Sequence, residues 1–310
     1  MNATVEKALG FWGLDGADWQ LIAARENQVF RVEGRTGPVA LRLHRVNYRS
    51  DDELRSELQW MAAVAAGGLH VPEPVRATDG SFLHVIDGVQ VDVLGWLTGR
   101  PVGTTATPLD VADRTGLFHA IGREMARLHQ VSDAWTLPPD FTRCRWDRDG
   151  LVGDAPVWGR FWDNPALSQD DRALFTRLRA QADDVLANQS AGLDHGLIHA
   201  DLVRENLMID GARIQLIDFD DGGYGYRQFD IATTLLKNMQ EPDYVDLRTA
   251  LIDGYLSVRP IDLTTLDLFL VLRAATYVGW IITRMDEDGA ADRCARYAAL
   301  TRQLAQDYLA

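Results

Sequence analysis

The 310-residue chain is predicted to be an α+β protein of two lobes: a small antiparallel-sheet lobe with one helix, residues 1–97, and a large, mostly helical lobe, residues 98–310. Three observations predict it. Apolar and polar residues alternate with period two through much of the first hundred positions, as in half-buried strands. Apolar residues at helical spacing dominate after "TGRPVG". At 46% hydrophobic over this length, the chain has enough apolar side chains for a sizeable core.

The elements follow in order. "NQVFRVEG" and "GPVALRLHR" alternate around a "GRTG" turn and read as a β-hairpin. "SDDELRSELQWMAAVAAGG" opens on Ser-Asp and stops on Gly-Gly, which bounds a helix. "EPVRATDG", "SFLHVIDG" and "VQVDVLGWL" are short apolar runs set off by Asp-Gly turns and read as strands. A linker near Leu97 to Gly99 follows. Helices are then predicted over 107–130, 169–188, 227–239, 243–256, 264–285 and 290–308, with a Trp-, Pro- and Arg-rich connection over 135–164.

Composition excludes several classes. A net charge of -14 argues against a general nucleic-acid binder, which needs a basic surface. Cys144 and Cys294 are far apart and lack metal-ligand spacing, so no disulfide framework is expected. The opening "MNATVEKALG" lacks a signal-peptide pattern, and a cytoplasmic location is the default. "LDLFLVLRAATYVGWII" is broken by Asp267 and Arg273, which makes it a buried helix and not a membrane span. Only Lys7 and Lys237 are lysines among 31 basic residues.

The chemistry concentrates in "LIHADLVRENLMIDGARIQLIDFDDGG", 197–223. "HADLVREN" has the H-x-D-x-x-x-x-N spacing of a kinase catalytic loop. "LMIDGARIQLID" reads as a tight hairpin that folds Asp218 back toward Asn206. Phosphoryl transfer needs a carboxylate facing the acceptor hydroxyl and hard oxygen ligands for Mg²⁺. We assign Asp201 as the base and Asn206 and Asp218 as Mg²⁺ ligands. The bland alternative makes the two aspartates solvated strand ends and Asn206 a turn residue. Arg204, inside the loop, is a candidate to neutralise the transferring phosphate, with a plain surface arginine as the alternative.

These stretches resemble the aminoglycoside phosphotransferase and choline kinase superfamily, with its protein-kinase-like fold. The chain is most similar to the branch with type II homoserine kinases and bacterial stress-response kinases. "VALRLHR", "SELQWMAAVAAGGLHVPEPV", "AIGREMARLHQ", "FTRCRWDRDGLVG", "IDFDDGGYGYRQFDIA" and "LRAATYVGWIITRM" also carry the resemblance, which spans nearly the whole chain. It implies ATP and Mg²⁺ as cofactors, a supporting role for His199 in the loop, and Asp230 holding the loop from beneath. A capped helix and a satisfied core histidine are the alternatives for those two.

The first lobe departs from the pattern. Where kinases place a strand lysine on the α- and β-phosphates, "VALR" puts Arg42. Arginine keeps the charge but not the geometry. Arg42 is expected to bind the phosphates, positioned by Glu57, with Glu53 as the competing partner. No G-x-G-x-x-G occurs; "ARENQVFRVEG" fills that place, with Asn27 and Gln28 offering backbone N–H groups. Adenine is expected against the backbone of Gly95 and Trp96. Tyr277, Trp280 and Arg284 share one helical face; Trp280 is expected in the core, and Tyr277 and Asp220 are candidates for the acceptor.

The leading expectation is therefore a MgATP-dependent phosphotransferase acting on the hydroxyl of a small metabolite: an amino alcohol, a hydroxy amino acid or an aminoglycoside-like compound. A stress-response-type protein Ser/Thr kinase and a non-catalytic nucleotide-binding regulator are the alternatives. No nucleic-acid or membrane partner is expected, and oligomeric state is not legible.

Overall fold

The computed structural model describes residues 2–24, 27–189 and 192–310, and its contacts divide the chain into two units. The first comprises Met1–Pro101, Ala134–Arg143 and Leu207–Asp220. Its main sheet has five strands in the order β1 (Trp19–Ala24), β2 (Gln28–Gly34), β3 (Gly37–Leu43), β5 (Val89–Gly95), β4 (Leu83–Ile86), all antiparallel. Strand parity sorts the faces. Phe30 and Val32, Leu41 and Leu43, and Val91 and Val93 form one apolar face, packed with Val5, Ala8, Leu9 and Trp12 of the N-terminal region. Arg42 and Asp92 are offset by one position, directly opposite each other in the β3–β5 register.

Two elements ahead of β2 were not expected, α1 (Asn2–Phe11) and β1. Their signal was present: Val5, Ala8, Leu9 and Trp12 fall at i, i+3, i+4 and i+7, the stripe of a half-buried helix. "EPVRATDG" is not a strand; it contributes a single bridge, Pro74 to Leu94, because proline lacks the N–H a ladder needs. The helix α2 (Asp51–Ala66) starts where its capping box predicts: Ser50 Oγ accepts from Glu53 N, and Glu53 accepts from Ser50 N.

A smaller sheet in the same unit joins β6 (Arg100–Pro101), β9 (Leu207–Asp210) and β10 (Arg213–Leu216). The β9–β10 hairpin turns at Gly211, with φ of 60°, and pairs Leu207 with Leu216 at its open end. The chain enters this hairpin from Asn206 and leaves it toward Asp218.

The second unit comprises Val102–Asp133, Cys144–Asn206 and Asp221–Ala310. It holds α3 (Arg114–Ala134), β7 (Arg145–Trp146), α4 (Arg148–Val152), α5 (Gln169–Gln189), β8 (His195–Ile198), β11 (Gly223–Tyr226), α6 (Arg227–Leu236), α7 (Tyr244–Leu256), α8 (Leu266–Trp280) and α9 (Ala290–Leu309). The first of these helices begins seven residues later than its apolar spacing suggested. Asp113 supplies the start, its Oδ1 accepting from Gly116 N at 2.8 Å. The helix α8 runs through the core, packed against α6 and α9. With the turn after it, this segment is long and apolar enough to cross a membrane, yet 78% of it is buried inside the fold. Neither cysteine forms a disulfide among the described residues.

Helices α3 and α7 meet through glycines. A Cβ on Gly122 would lie 2.0 Å from the Leu251 carbonyl oxygen, and one on Gly254 2.0 Å from that of His119. Neither backbone can yield without moving a helix. We expect Gly254→Ala to cost about 2–4 kcal/mol, seen as a lower urea midpoint at unchanged m.

Candidate active site

In the second unit β8 runs out at Ile198, and the next three residues turn sharply. Ala200 has φ of 64°, a conformation that costs a non-glycine residue on the order of 1 kcal/mol and needs outside support. Asp230, in the first turn of α6, gives that support. Its Oδ2 accepts from His199 N at 2.8 Å and its Oδ1 from Ala200 N at 2.6 Å. The same carboxylate meets His129 Nε2 at 3.0 Å, and His129 Nδ1 lies 2.8 Å from Tyr255 Oη. All of Asp230, His129 and His199 are fully buried. Burial opposes the Asp230 charge, but the bonds from His129 and His199 outweigh it and its pKa is lowered. Burial, helped by the Arg227 charge, drops His129 to about 4.

This support aims Asp201. Its Oδ2 accepts from Asn206 Nδ2 at 2.8 Å, and its Oδ1 from Arg273 Nη2 at 2.7 Å. The side chain remains 24% exposed, so a carboxylate fixed at both oxygens still faces outward. Asn206 also donates to the Asp201 carbonyl at 3.0 Å, and both N–H groups are thereby turned into the loop, leaving Oδ1 as its outward group. His199 Nδ1 accepts from Asp201 N at 3.4 Å.

Arg204 corrects its expectation. It is 3% exposed, and its guanidinium is held by Asn238 Oδ1 at 2.7 Å, by the Thr107 carbonyl at 2.9 Å and by Glu241. A side chain so committed anchors the loop to the segment before α3; it is not poised for a phosphate.

In the first unit, Arg42 is buried on the sheet face away from α1. Its Nε and Nη2 make a two-pronged contact with Asp92, both at 2.8 Å, and Nη2 reaches Glu57 Oε1 at 3.1 Å. The two-pronged partner is therefore Asp92, which strand pairing places opposite and which the sequence reading did not consider. Glu57 is shared with Arg143 at 3.2 Å, while Glu53 spends its carboxylate on the Ser50 cap. Burial works against the Arg42 charge, but Asp92, Glu57 and Asp220 together raise its pKa well above the ordinary value. Nη1 faces Asp220 Oδ1 at 3.8 Å, and that buried oxygen has no hydrogen-bond partner among the described residues.

Asp220 is held in the same unit by Asn27 Nδ2 at 2.9 Å, and its carbonyl accepts from Arg49 and Arg143. Asn27 spends its side chain there. Arg25 and Glu26, which precede it, lie outside the described residues. Gln28 pairs with Leu43 at the start of β2. Gly95 N donates to the Glu73 carbonyl at 2.7 Å, which takes that N–H out of any nucleotide contact. Trp96 lies under the Arg31 guanidinium at 5.4 Å. Asp218 is exposed with φ of 67°, a left-handed turn that aspartate tolerates better than most. Tyr277 is buried in the second unit, its hydroxyl taking a bond from Arg273 at 2.8 Å; Trp280 is half-buried under Arg284.

Three residues escaped the sequence reading: Asp92, Arg273 and Lys237. Each had a signal. Asp92 and Arg273 are lone charges inside apolar runs, "VQVDVLG" and "LFLVLRAAT", where burial demands a partner. Lys237 is a lysine where the chain otherwise uses arginine.

Among the described residues no cluster of three or more His, Cys, Asp or Glu is built for a metal. Asp218 in the first unit is an exposed carboxylate, and Asn206 in the second spends its N–H groups on Asp201, which leaves its amide oxygen; each is a hard oxygen donor of the kind Mg²⁺ takes.

A two-unit α+β fold with an H-x-D-x-x-x-x-N loop on a carboxylate brace defines a protein-kinase-like phosphotransferase. The Phosphotransferase enzyme family model matches residues 18–269, and the chain belongs to that family. It is 29% identical over 268 residues to the homoserine kinase of Brucella abortus, covering 84% of this chain and 76% of that one. The amicoumacin kinase of Bacillus subtilis is 24% identical over 238 residues, 76% and 68% of the two chains. Among solved structures, a microcompartment-associated aminopropanol kinase superposes with a TM-score of 0.85 at 28% identity, covering 100% of this chain and 98% of that one. The amicoumacin kinase hAmiN, in complex with AMP-PNP, Ca²⁺ and Ami, superposes at 0.78 and 22% identity, 99% and 93% covered. The protein is an ATP-dependent kinase.

Two outcomes follow from the buried charges. Removing Arg42 leaves Asp92 and Glu57 facing each other with less positive charge. We expect Arg42→Ala to lose about 3–5 kcal/mol in urea unfolding, and MgATP affinity measured on the folded fraction to fall at least about tenfold. His129 is neutral in the fold down to about pH 4 but takes a proton near 6.5 when unfolded. The unfolded chain therefore binds more protons between those values, and stability falls as pH drops through that window. The lowered Asp230 pKa adds loss in the same direction, as pH falls through its folded value. We expect the urea midpoint to decline from pH 7 to 4, and His129→Gln to flatten the decline by on the order of 2–3 kcal/mol.

Proposed function

We propose that this kinase moves the γ-phosphate of ATP to the hydroxyl of a small metabolite, with Asp201 as the base. The observation that carries this reading is the Asp201 carboxylate itself: both oxygens are held, by Asn206 and Arg273, yet a quarter of the side chain stays open. A carboxylate in that state can align an acceptor hydroxyl and take its proton. A nucleotide-binding regulator has no use for such a group. Asp230 and His199 hold the loop, and Arg204 ties it to the helical unit.

Asn206 and Asp218 are the proposed Mg²⁺ ligands. When bound, MgATP supplies the phosphoryl group and the metal neutralises charge on its oxygens. Arg42, positioned by Asp92 and Glu57, is the proposed phosphate contact, through its Nη1 edge. Residues 1–97 act as the nucleotide-binding lobe in this reading, with the backbone at Asn27, Gln28 and Trp96 along the nucleotide and the Gly95 N–H excluded, and residues 98–310 carry the catalytic loop and acceptor pocket. Catalysis then comes from positioning and charge neutralisation, since phosphoryl transfer asks little covalent work of the protein.

The acceptor class spans amino alcohols, hydroxy amino acids and aminoglycoside-like compounds. The relatives named above, a homoserine kinase and an aminopropanol kinase, support the first two. A cytoplasmic setting without nucleic-acid or membrane partner fits the composition. In a coupled ADP-release assay we expect Asp201→Asn to lower kcat by about 10³-fold or more while calorimetric MgATP affinity stays within a few-fold. Turnover in Asp201→Asn near that of the wild type removes the assignment.

A further inference from the structure

Near Asp201 two basic side chains are incompletely partnered. Arg273 is fully buried; its Nη2 serves Asp201 and Tyr277, while Nε and Nη1 find no acceptor among the described residues. Its guanidinium lies against the rings of Trp158, at 4.6 Å, and Tyr277, at 4.5 Å. Lys237 Nζ stands 3.9 Å from the centre of the same Tyr277 ring.

The two lysines of the chain make a contrast. Lys7 is exposed and bonds both oxygens of Asp87, at 2.8 and 2.7 Å. Lys237 is half-buried and has no carboxylate partner among the described residues. Burial, and then the Arg273 charge, lower its pKa; Tyr297, Asp201 and Glu205 act the other way. Asp201 is occupied by Arg273 and Asn206; Glu205 accepts from the Thr105 N–H and hydroxyl at Oε1, while its buried Oε2 bonds no group among the described residues, Lys237 included.

A plainer role is available, because Lys237 is the C-cap of α6 and a cation there favours the helix dipole. That effect is worth about 0.3–1 kcal/mol and is fully available to an exposed lysine. It does not account for tucking the ammonium against an aromatic face beside a second buried cation, which is costly without an anion. Among the described residues Lys237 bonds no carboxylate and the Nε and Nη1 edge of Arg273 has no acceptor, so the two present donors to one more negative group.

We propose that Lys237, with Arg273 behind it, forms an oxyanion subsite beside Asp201, and that the acceptor is a hydroxy amino acid whose carboxylate binds there. The proposal rests on the phosphotransferase reading and narrows its acceptor class: an amino alcohol lacking the carboxylate leaves the subsite unmatched. The transferred phosphate is the other oxyanion that Lys237 could meet. A lysine on that phosphate serves every acceptor alike, whereas one on the carboxylate discriminates among them.

The test uses two matched pairs that differ only by the carboxylate: L-homoserine against 3-amino-1-propanol, and L-threonine against 1-amino-2-propanol. MgATP binding is measured first by calorimetry; its absence overturns the kinase reading and this inference with it. Given nucleotide binding, the wild type is expected to favour the carboxylate-bearing member of at least one pair by about 100-fold or more in kcat/KM. In Lys237→Met that ratio is expected to fall by about 30-fold, through KM of the carboxylate-bearing acceptor, and Lys237→Arg is expected to restore most of it. Preference for the decarboxylated members overturns the inference while leaving the kinase reading intact. So does an equal loss on all acceptors in Lys237→Met, which places the lysine on the phosphate. If none of the four turns over, their calorimetric affinities in the presence of nucleotide decide by the same ratio, and equal or absent binding overturns it.

Discussion

A single carboxylate, Asp230, carries the backbone of the catalytic loop. Ala200 sits in a left-handed conformation that an alanine does not choose, and both adjacent N–H groups are buried, so an acceptor must be provided or the turn opens. Asp230 provides it twice, and its own burial is tolerated because His129 and the two backbone donors bind it. His129 is in turn fixed by Tyr255 of α7. The aim of Asp201 thus depends on residues from three helices, none of which needs to touch a substrate. Bonds to an ionised acceptor are worth more than neutral ones, about 1.5–3 kcal/mol each, which is ample to hold one strained residue.

The Arg42 site applies the same logic with opposite sign. A guanidinium is buried on a sheet, and the neighbouring strand and α2 place carboxylates on it. Arginine suits this position better than lysine does, because its planar fork satisfies Asp92 with two nitrogens and still presents a third. Lysine, a point charge, could not grip Asp92 with two nitrogens and face Asp220 with a third.

Much of this was legible in the sequence. The loop spacing, the β9–β10 hairpin and the capped α2 are all local signals, and each was found within a residue or two of its place. Asp230 was recognised through resemblance, since nothing in "FDIA" alone says what the aspartate faces. What the sequence withheld is register and packing. Asp92 opposes Arg42 only once β3 and β5 are aligned, and the alignment depends on which apolar residues face α1. Arg204 looked like a free loop cation, and only the arrival of Glu241 and Asn238, more than thirty residues on, shows that it is spent. Arg273 was read as the residue that disqualifies a membrane helix; its partner is 72 residues earlier in the chain.

The first unit is assembled from three stretches, the last ending at Asp220. On the ribosome, the last strand of the five-stranded sheet ends at Gly95, about 110 residues before the β9–β10 hairpin of the same unit begins at Leu207. During that interval the Thr98 and His70 carbonyls lack the Gln215 Nε2 and Leu216 N–H donors that meet them in the fold. The unit therefore cannot mature domain by domain as synthesis proceeds; its completion waits until about two-thirds of the chain is made. The first unit is thus completed only after the 199–206 loop of the second has been translated, so a nascent chain that stops short of that loop lacks a finished first unit.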